Sequence, residues 1–390
     1  MLFSRHERRT VVISDPVSLQ ERLSERRISS AGIYVTPESA VQRVAVFASA
    51  NLIAQTVTQL PVDLFRGSGQ AKREVPKPPL LLDPGGQGYG FADWSWSVLF
   101  RCLLQGNAVG FIAARDSEGF PTSIELQSLE SVSARYIDGD REWTIGGEKV
   151  PADRIFHLRA YPAEQRIAGL SPIGMHMRTI GIGLQAEEFG AAFFRDGGHP
   201  TGILTSEGRL VGETAKSIKA KFVEAMRGSR EPVVIPAQVK YQPIQVNPAE
   251  SQFLETQKYS AAECARIFGP GVAEMLGYET GGSMTYANVE SRSLHLLIYT
   301  LNAWAKRLED ALSTPRMTPR GQYVKFNRKA LLQAVTLDRF HAHEVALKNG
   351  FETINEVREV EDMPPVAWGD EPFTPAIGTP PAAVPAPAPS

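Results

Sequence analysis

Two stretches decide the architecture: residues 171–200, SPIGMHMRTIGIGLQAEEFGAAFFRDGGHP, and residues 247–268, NPAESQFLETQKYSAAECARIF. In the first, Ser171 has the form of a helix N-cap, and Pro172 takes the first helical position, where its missing N–H costs nothing. Gly197-Gly198 with Pro200 beyond ends the helix. At the α-helical rise the segment is about 37 Å long. The second stretch opens the same way, with Asn247 as cap, Pro248 next and Glu250 in the first turn. Ser260-x-x-Glu263 has the form of a further capping box and marks a kink at Ser260. Between the two helices, residues 201–204, 232–235 and 239–246 read as strands and 211–227 as a helix. This insert is too small to be stable by itself.

The first long helix carries Gly181, Gly183 and Gly190. Each costs up to about 1 kcal/mol against alanine inside a helix. Close approach of a neighbouring helix offsets that cost, and packing within one chain or between subunits would serve equally.

Outward from this pair, the chain before residue 171 reads as α+β. Residues 1–36 are polar and rich in arginine (Arg5, Arg8, Arg9, Arg22, Arg26, Arg27) and read as a flexible arm. Residues 37–58 read as one helix, with Val41, Val44, Ala45, Ala48, Leu52 and Ile53 at helical spacing. Pro61 ends it before a strand at 62–65. A Pro/Gly-rich loop at 76–90 leads to a helix over 91–105, turned by Gly106-Asn107 into the strand 108–114. Short strands follow to Phe156, giving helices on a small, mostly antiparallel sheet.

After the second long helix, residues 269–285 form a glycine-rich loop holding Gly269, Gly271, Gly277, Gly281 and Gly282. A helix over 287–313 follows. Leu294, Leu297, Ile298, Leu301, Trp304, Ala305, Leu308 and Leu312 mark its apolar face. Two shorter helices, near 336–349 and 354–360, precede Pro364-Pro365. From residue 372 the Pro/Ala-rich tail cannot bury a core and reads as disordered.

Composition bounds the function. With Lys+Arg 41 against Asp+Glu 43 the chain carries no basic excess, so it is not built to grip nucleic acid. Cys102 and Cys264 lie in apolar helical contexts and read as reduced, buried thiols. The start lacks the apolar core of a secretory signal, and the apolar run at 44–54 is too short and polar to span a bilayer. The chain reads as soluble when made.

Six segments, in order along the chain, resemble the phage portal family of long-tailed phages. They are Val44-Ala45-Val46-Phe47 through Leu60-Pro61; Leu104-Gln105-Gly106-Asn107-Ala108; Gly169-Leu170-Ser171-Pro172-Ile173 leading to Phe193-Phe194-Arg195-Asp196-Gly197 and Pro200-Thr201-Gly202; Phe253-Leu254-Glu255-Thr256-Gln257-Lys258 to Ala265-Arg266-Ile267-Phe268-Gly269; Tyr286-Ala287-Asn288-Val289-Glu290 to Thr300-Leu301-Asn302-Ala303-Trp304 and Glu309; and Asn355-Glu356-Val357-Arg358 with Met363-Pro364-Pro365. The resemblance covers roughly residues 41–366. Two departures are visible. Pro270-Gly271-Val272 replaces a Val-Pro-Pro-like turn, which leaves the local backbone open. Ala303 replaces a usual proline, so the long helix is expected to be less kinked.

The resemblance implies a portal-protein fold, α+β, in named parts. A flexible arm (1–36) precedes an α/β wing (37–170). Two stem helices (171–197 and 247–268) flank a small α/β clip (198–246), which would face outward. A tunnel loop (269–286), a long wing helix with strands (287–330), a helical crown (331–371) and the disordered tail (372–390) follow. It also implies a twelve-subunit ring at the capsid vertex of the virion, assembled in the host cytoplasm. Double-stranded DNA would pass through it without sequence specificity. The implied partners are the terminase large subunit, the major capsid or scaffold protein and a head–tail adaptor; no membrane, metal or cofactor is implied. Gly281, Gly282, Ser283, Met284 and Thr285 are the expected channel contacts of the tunnel loop, with Lys258 and Arg266 on the second stem helix. Gly181, Gly183 and Gly190 are expected to serve stem packing. Glu255, Lys258, Glu263 and Arg266 alternate in sign, which steers DNA without trapping it; an ordinary solvated helix face reads the same way. Another head–tail ring protein, or a soluble hydrolase, is the competing reading.

Motifs for chemistry are weak. Gly86-x-Gly88-x-Gly90 lacks the Lys-Ser/Thr of a phosphate loop. Ser171 lies in Gly169-Leu170-Ser171-Pro172-Ile173-Gly174, which is not a nucleophile elbow, and is better explained as a cap. His341 and His343 are two apart, so on a helix their rings diverge by about 200° and cannot share a metal. Glu187-Glu188 reads as a solvated pair. The chain reads as structural rather than enzymatic.

Overall fold

A computed structural model describes residues 34–137, 140–162, 166–195, 202–206, 212–226, 239–243, 250–279, 286–328, 336–361 and 363–371. Of the expected arm at 1–36, residues 1–33 lie outside them, while Val35 is buried and Thr36 caps the first helical turn; the tail at 372–390, the strand at 232–235 and the tunnel-loop residues 281–285 also lie outside. The chain divides into two units, 1–326 and 327–390.

In the first unit, α1 (Pro37–Ala40) is a single turn, followed by α2 (Val44–Thr58). The sequence reads these as one helix. The Thr36–Ser39 capping box closes the first turn on itself, and Arg43 then adopts an extended backbone as the N-cap of α2. β1 (Val62–Arg66) pairs antiparallel with both β2 (Arg73–Val75) and the distant β13 (Gln322–Phe326). After α3 (Pro79–Leu82), α4 (Gly90–Gln105) ends at Gly106 in the left-handed region, φ +75°, where only glycine is at ease.

β3 (Asn107–Arg115) is central in a three-stranded antiparallel sheet, between β4 (Pro121–Leu126) and β8 (Ile155–Arg159). β5 (Val132–Ile137), β6 (Asp140–Ile145) and β7 (Glu148–Val150) form a separate meander. The core between α4 and the sheet is aromatic. Trp94 packs on Phe156 at 5.4 Å between ring centroids and donates its indole N–H to the Ile124 carbonyl at 3.1 Å. Phe91 meets Phe326 at 6.1 Å. Each such side chain contributes about 1.5–3 kcal/mol by burial. A second cluster, Val109, Leu129, Val132, Trp143, Ile167 and Ala168, joins the meander to the sheet.

β9 (Tyr161–Pro162) pairs with β10 (Gly169–Leu170), and Ser171 then caps α5 (Pro172–Met175) by accepting from the Gly174 N–H at 3.0 Å. The cap and Pro172 stand as the sequence reads them. The expected single helix is broken at His176, and α6 (Met177–Arg195) continues. The insert shows β11 (Gly202–Ser206) antiparallel to β12 (Val239–Pro243), with α7 (Gly212–Met226) between them in sequence. α8 (Glu250–Arg266) runs through Ser260 as one uninterrupted helix, so no second helix start stands there. Ser260 is buried and its hydroxyl is engaged by another segment rather than capping.

The glycine-rich loop opens with a short helix, α9 (Val272–Met275). The long helix is interrupted: α10 (Tyr286–Leu296), a π-helical turn (Leu297–Leu301), then α11 (Asn302–Leu312). The absent proline does not leave the helix regular. The π turn directs Thr300 at the Gly269-Pro270 corner, where its hydroxyl donates to the Pro270 carbonyl at 2.7 Å. A methyl group at Gly269 would meet that hydroxyl at 2.7 Å. Glu309, buried on α11, accepts the Phe326 N–H at 2.8 Å and holds β13.

The second unit holds α12 (Thr336–Lys348) and α13 (Ile354–Val360), the latter opened by a Thr353–Glu356 capping box.

Candidate functional site

Helices α6 and α8 pack together, and both touch the elements at the start of the chain: α1 lies on α6, and α2 on α8. Their joint is made by a charge. Arg43, 1% exposed, reaches in from the N-cap of α2. One guanidinium nitrogen donates to Glu187 on α6 and the other to the Ser260 hydroxyl on α8, each at 3.0 Å. The group lies over Gly183, where a methyl would come within 2.1 Å of it. Sequence reading expects a neighbouring helix at that glycine; what approaches is a side chain of the same chain. It also reads Glu187 as solvated; the residue is exposed, and its carboxylate is in addition the counter-charge of a buried cation.

Cys264, one turn after Ser260, is buried and free, as read. Burial pushes its thiol pKa up, and Arg43 beside it acts in the opposite direction. Cys102 is wholly buried and its thiol pKa is raised by desolvation, so it too is unreactive.

Lys258 is exposed on α8. Arg266, at the end of α8, is also exposed, but its guanidinium is engaged by Glu279 beyond the turn and by Glu263 on the same helix. Hydrogen bonds to Glu279 and then Glu263 hold its pKa above the ordinary value. Arg266 is therefore a partly neutralised charge at the mouth of the loop. Gly181 is buried and Gly190 partly buried. Gly281, Gly282, Ser283, Met284 and Thr285 lie outside the described residues, as does the side chain of Glu255.

Apolar surface is left open on the same helices. Ile182 and Phe189, seven residues apart on one face of α6, are 43% and 57% exposed, and Tyr259 on α8 is 65% exposed. Leu294, Ile298 and Tyr299 are exposed on α10 and the π turn. Where such side chains adjoin in one patch, they mark a surface that meets another macromolecule.

A groove of about 560 Å³ is lined by Asp83, Asp93, Ser97, Arg101 and Glu125, among others, but Ser97 commits its hydroxyl to the Asp93 carbonyl and no histidine or cysteine lines it. Gly86, Gly88 and Gly90 all have positive φ, and the Gly88 N–H donates to Asp83 rather than facing open space. His341 pairs with Glu344, whereas His343 faces Glu352 and Glu361. Among the described residues no group of three His, Cys, Asp or Glu could hold a metal ion, and no helix is long and apolar enough to cross a membrane.

The family model for phage portal proteins matches residues 44–362. The chain belongs to that family. It is 27% identical over 365 residues to the "Probable portal protein" of Streptomyces phage phiC31, covering 88% of this chain and 79% of that one. An HK97-family phage portal protein from Corynebacterium diphtheriae, solved by crystallography, superposes with a TM-score of 0.58 at 18% identity, over 77% of this chain and 97% of the other. A chain from the neck of a native gene transfer agent particle, computed with C12 symmetry, gives a TM-score of 0.54 at 18% identity, over 84% of this chain and 93% of the other. At these identities the two structures speak for the fold, and both agree with an α+β portal fold.

Proposed function

We propose that the chain is one subunit of the portal ring at a tailed-phage capsid vertex, through which double-stranded DNA is packaged and ejected. What supports this reading most is the match of the phage portal family model over residues 44–362, and exposed apolar side chains on both helices of the pair agree with it. Ile182, Phe189 and Tyr259 remain exposed after the chain has folded, as a helix pair would if copies packed side by side around an axis. In a ring the contact is heterologous, one face of each copy meeting the other face of the next. Twelve copies accord with the C12 neck that contains a chain of this fold.

Residues 37–170 serve as wing, α6 and α8 as stem, 198–246 as clip, 269–286 as tunnel loop, 287–330 as the return to the wing and 331–371 as crown. Duplex DNA carries about one charge per 1.7 Å of axis, so a uniformly basic wall would bind it fast. The near-neutral chain, with Arg266 engaged by two carboxylates, suits a wall that contains DNA and lets it slide. Gly281 to Thr285 and Lys258 supply the channel contacts. The clip docks the terminase large subunit during packaging and a head–tail adaptor afterwards, and the wing meets the capsid or scaffold protein. The role is structural, with no chemical step assigned to the chain.

Purified protein tests this in negative stain and native mass spectrometry. Closed rings with a central hole wide enough for a duplex are expected. A monomer at micromolar concentration would overturn the assignment.

A further inference from the structure

Residue 43 opens α2, yet only its backbone carbonyl serves that helix, accepting from the Val46 and Phe47 N–H groups. A helix N-cap is normally Ser, Thr, Asp or Asn, whose side chain accepts from the first free N–H groups. Arg43 has no acceptor and makes no cap bond. Its side chain leaves the helix and is buried between two others, contacting residues 144 and 217 positions along the chain. A buried cation is costly unless paired, and this one is incompletely satisfied, since its Nε has no hydrogen-bond partner.

The faces that receive it are shaped for it. Gly183 and Glu187 are four apart on α6, one giving room and the other charge. Ser260 and Cys264 are four apart on α8 and present the second bond and a small wall. The planar guanidinium fork reaches both helices at once with fixed geometry, which a lysine ammonium cannot do. No other described Arg or Lys is as buried.

We propose that Arg43 is a positioning residue for the DNA conduit: it pins α6 and α8 to the start of the α/β layer and so sets the inclination of the channel-forming pair. The functional part of this rests on the portal reading; the pin itself does not. α6 leads into the segment assigned as clip, and α8 into the tunnel loop. A shift at the pin is therefore delivered to both ends of the conduit, and the discrete fork contact favours two positions over a continuum. Glu187, with a side chain 46% exposed, is the contact that water or a neighbouring copy can compete for first.

Hydrogen exchange on the full chain tests this, with native mass spectrometry on the same samples. Arg43→Met should speed amide exchange by about tenfold or more in 177–195 and 250–266, with the sheet at 107–159 unchanged. Glu187→Gln, a milder change on the solvent side, should move the same segments in the same direction by less, and it serves where Arg43→Met does not fold. Gly183→Ala should speed exchange in the wild-type background by displacing the guanidinium. In the Arg43→Met background it should slow exchange, because alanine then acts only as the better helix former. Uniform acceleration across the whole unit would make Arg43 an ordinary core residue and overturn the pin. So would an equal effect of Gly183→Ala in both backgrounds, or no change with Glu187→Gln. Loss of rings in the wild-type protein would sink the portal reading alone, since the exchange pattern is read within one chain.

Discussion

A methyl group at Gly106 would lie 2.1 Å from the Leu170 carbonyl oxygen, and a methyl group at Gly183 would lie 2.1 Å from an Arg43 guanidinium nitrogen. The clearances match and the materials do not. At Gly106 the obstacle is backbone, and the groups that cross-tie the junction are neutral. The Gly106 carbonyl accepts from the Ala160 N–H at 2.8 Å. Asn107, fully buried, accepts from the Gly169 N–H at 2.7 Å and donates back to the Gly169 carbonyl at 3.0 Å. Ser171 donates to the Leu104 carbonyl at 2.9 Å while capping α5. At Gly183 the obstacle is the end of a long side chain that can swing away. The first junction is fixed by the chain itself, and the second is held by one charge. An α/β layer that stays rigid while its helix pair adjusts would need both kinds.

The sharpest way to break the comparison is Gly106→Ala. The residue needs φ +75°, and the added carbon meets Leu170 O, Leu170 C and Ser171 N within 2.8 Å. Nothing flexible can yield, so the expected loss is on the order of 4 kcal/mol or more. Soluble expression and a denaturant midpoint would show it. A folded, near-wild-type Gly106→Ala protein would mean that this junction is as compliant as the other.

A middle-sized effect lies in the same junction. His157 Nε2 is 3.1 Å from Asn107 Oδ1, and that oxygen already accepts from the Gly169 N–H, so the imidazole is the donor. Burial, followed by the charges of Arg159 and Arg141, holds its pKa down to about 3. In the unfolded chain it titrates near 6.5. Between those values the unfolded chain binds the extra proton, so the contribution is intact above about pH 6.5 and is lost as pH falls towards 3. Because the ring keeps some solvent contact, the loss by pH 4 is about 2 kcal/mol. Urea midpoints from pH 7 to pH 4 should fall less steeply for His157→Gln, which keeps the donor and removes the titration. Parallel slopes would show that the junction does not exclude the proton.

Much of the neutral junction was legible in the sequence. Gly106-Asn107 announces a helix end and turn, and Ser171-Pro172 announces a cap, because both are local backbone chemistry. That the two motifs bind each other was not legible, since nothing local to residue 107 names residue 169. The charged junction was almost invisible. Residues 41–43 hold no Gly or Pro, so 37–58 reads as one helix and the extended Arg43 is hidden inside it. Glu187 has no basic residue three or four positions away on α6, so a helical wheel gives it no partner. The partner of Arg266 was missed for a related reason: Glu279 lies thirteen positions on, past a turn whose Pro270-Gly271 backbone the sequence left open. The helices and their order follow from periodicity and caps; which charge meets which follows only from packing.

The smallest expected effect is a pair of neighbouring substitutions that tests the rotation of α6. Successive residues on a helix point about 100° apart, so only one of Glu187 and Glu188 can face Arg43. The structure gives that place to Glu187 and leaves Glu188 exposed. Glu187→Ala removes the counter-charge of a buried cation. The carboxylate is itself nearly half in water, so about 1–2 kcal/mol is expected rather than the full cost of breaking a buried pair. Glu188→Ala should stay within about 0.5 kcal/mol, the usual range for a surface change. Thermal midpoints of the two variants, measured side by side, decide it. If Glu188→Ala proved the costlier, α6 would be turned by about 100°, Gly183 would no longer lie beneath the guanidinium, and the resemblance between the two glycine junctions would be accidental.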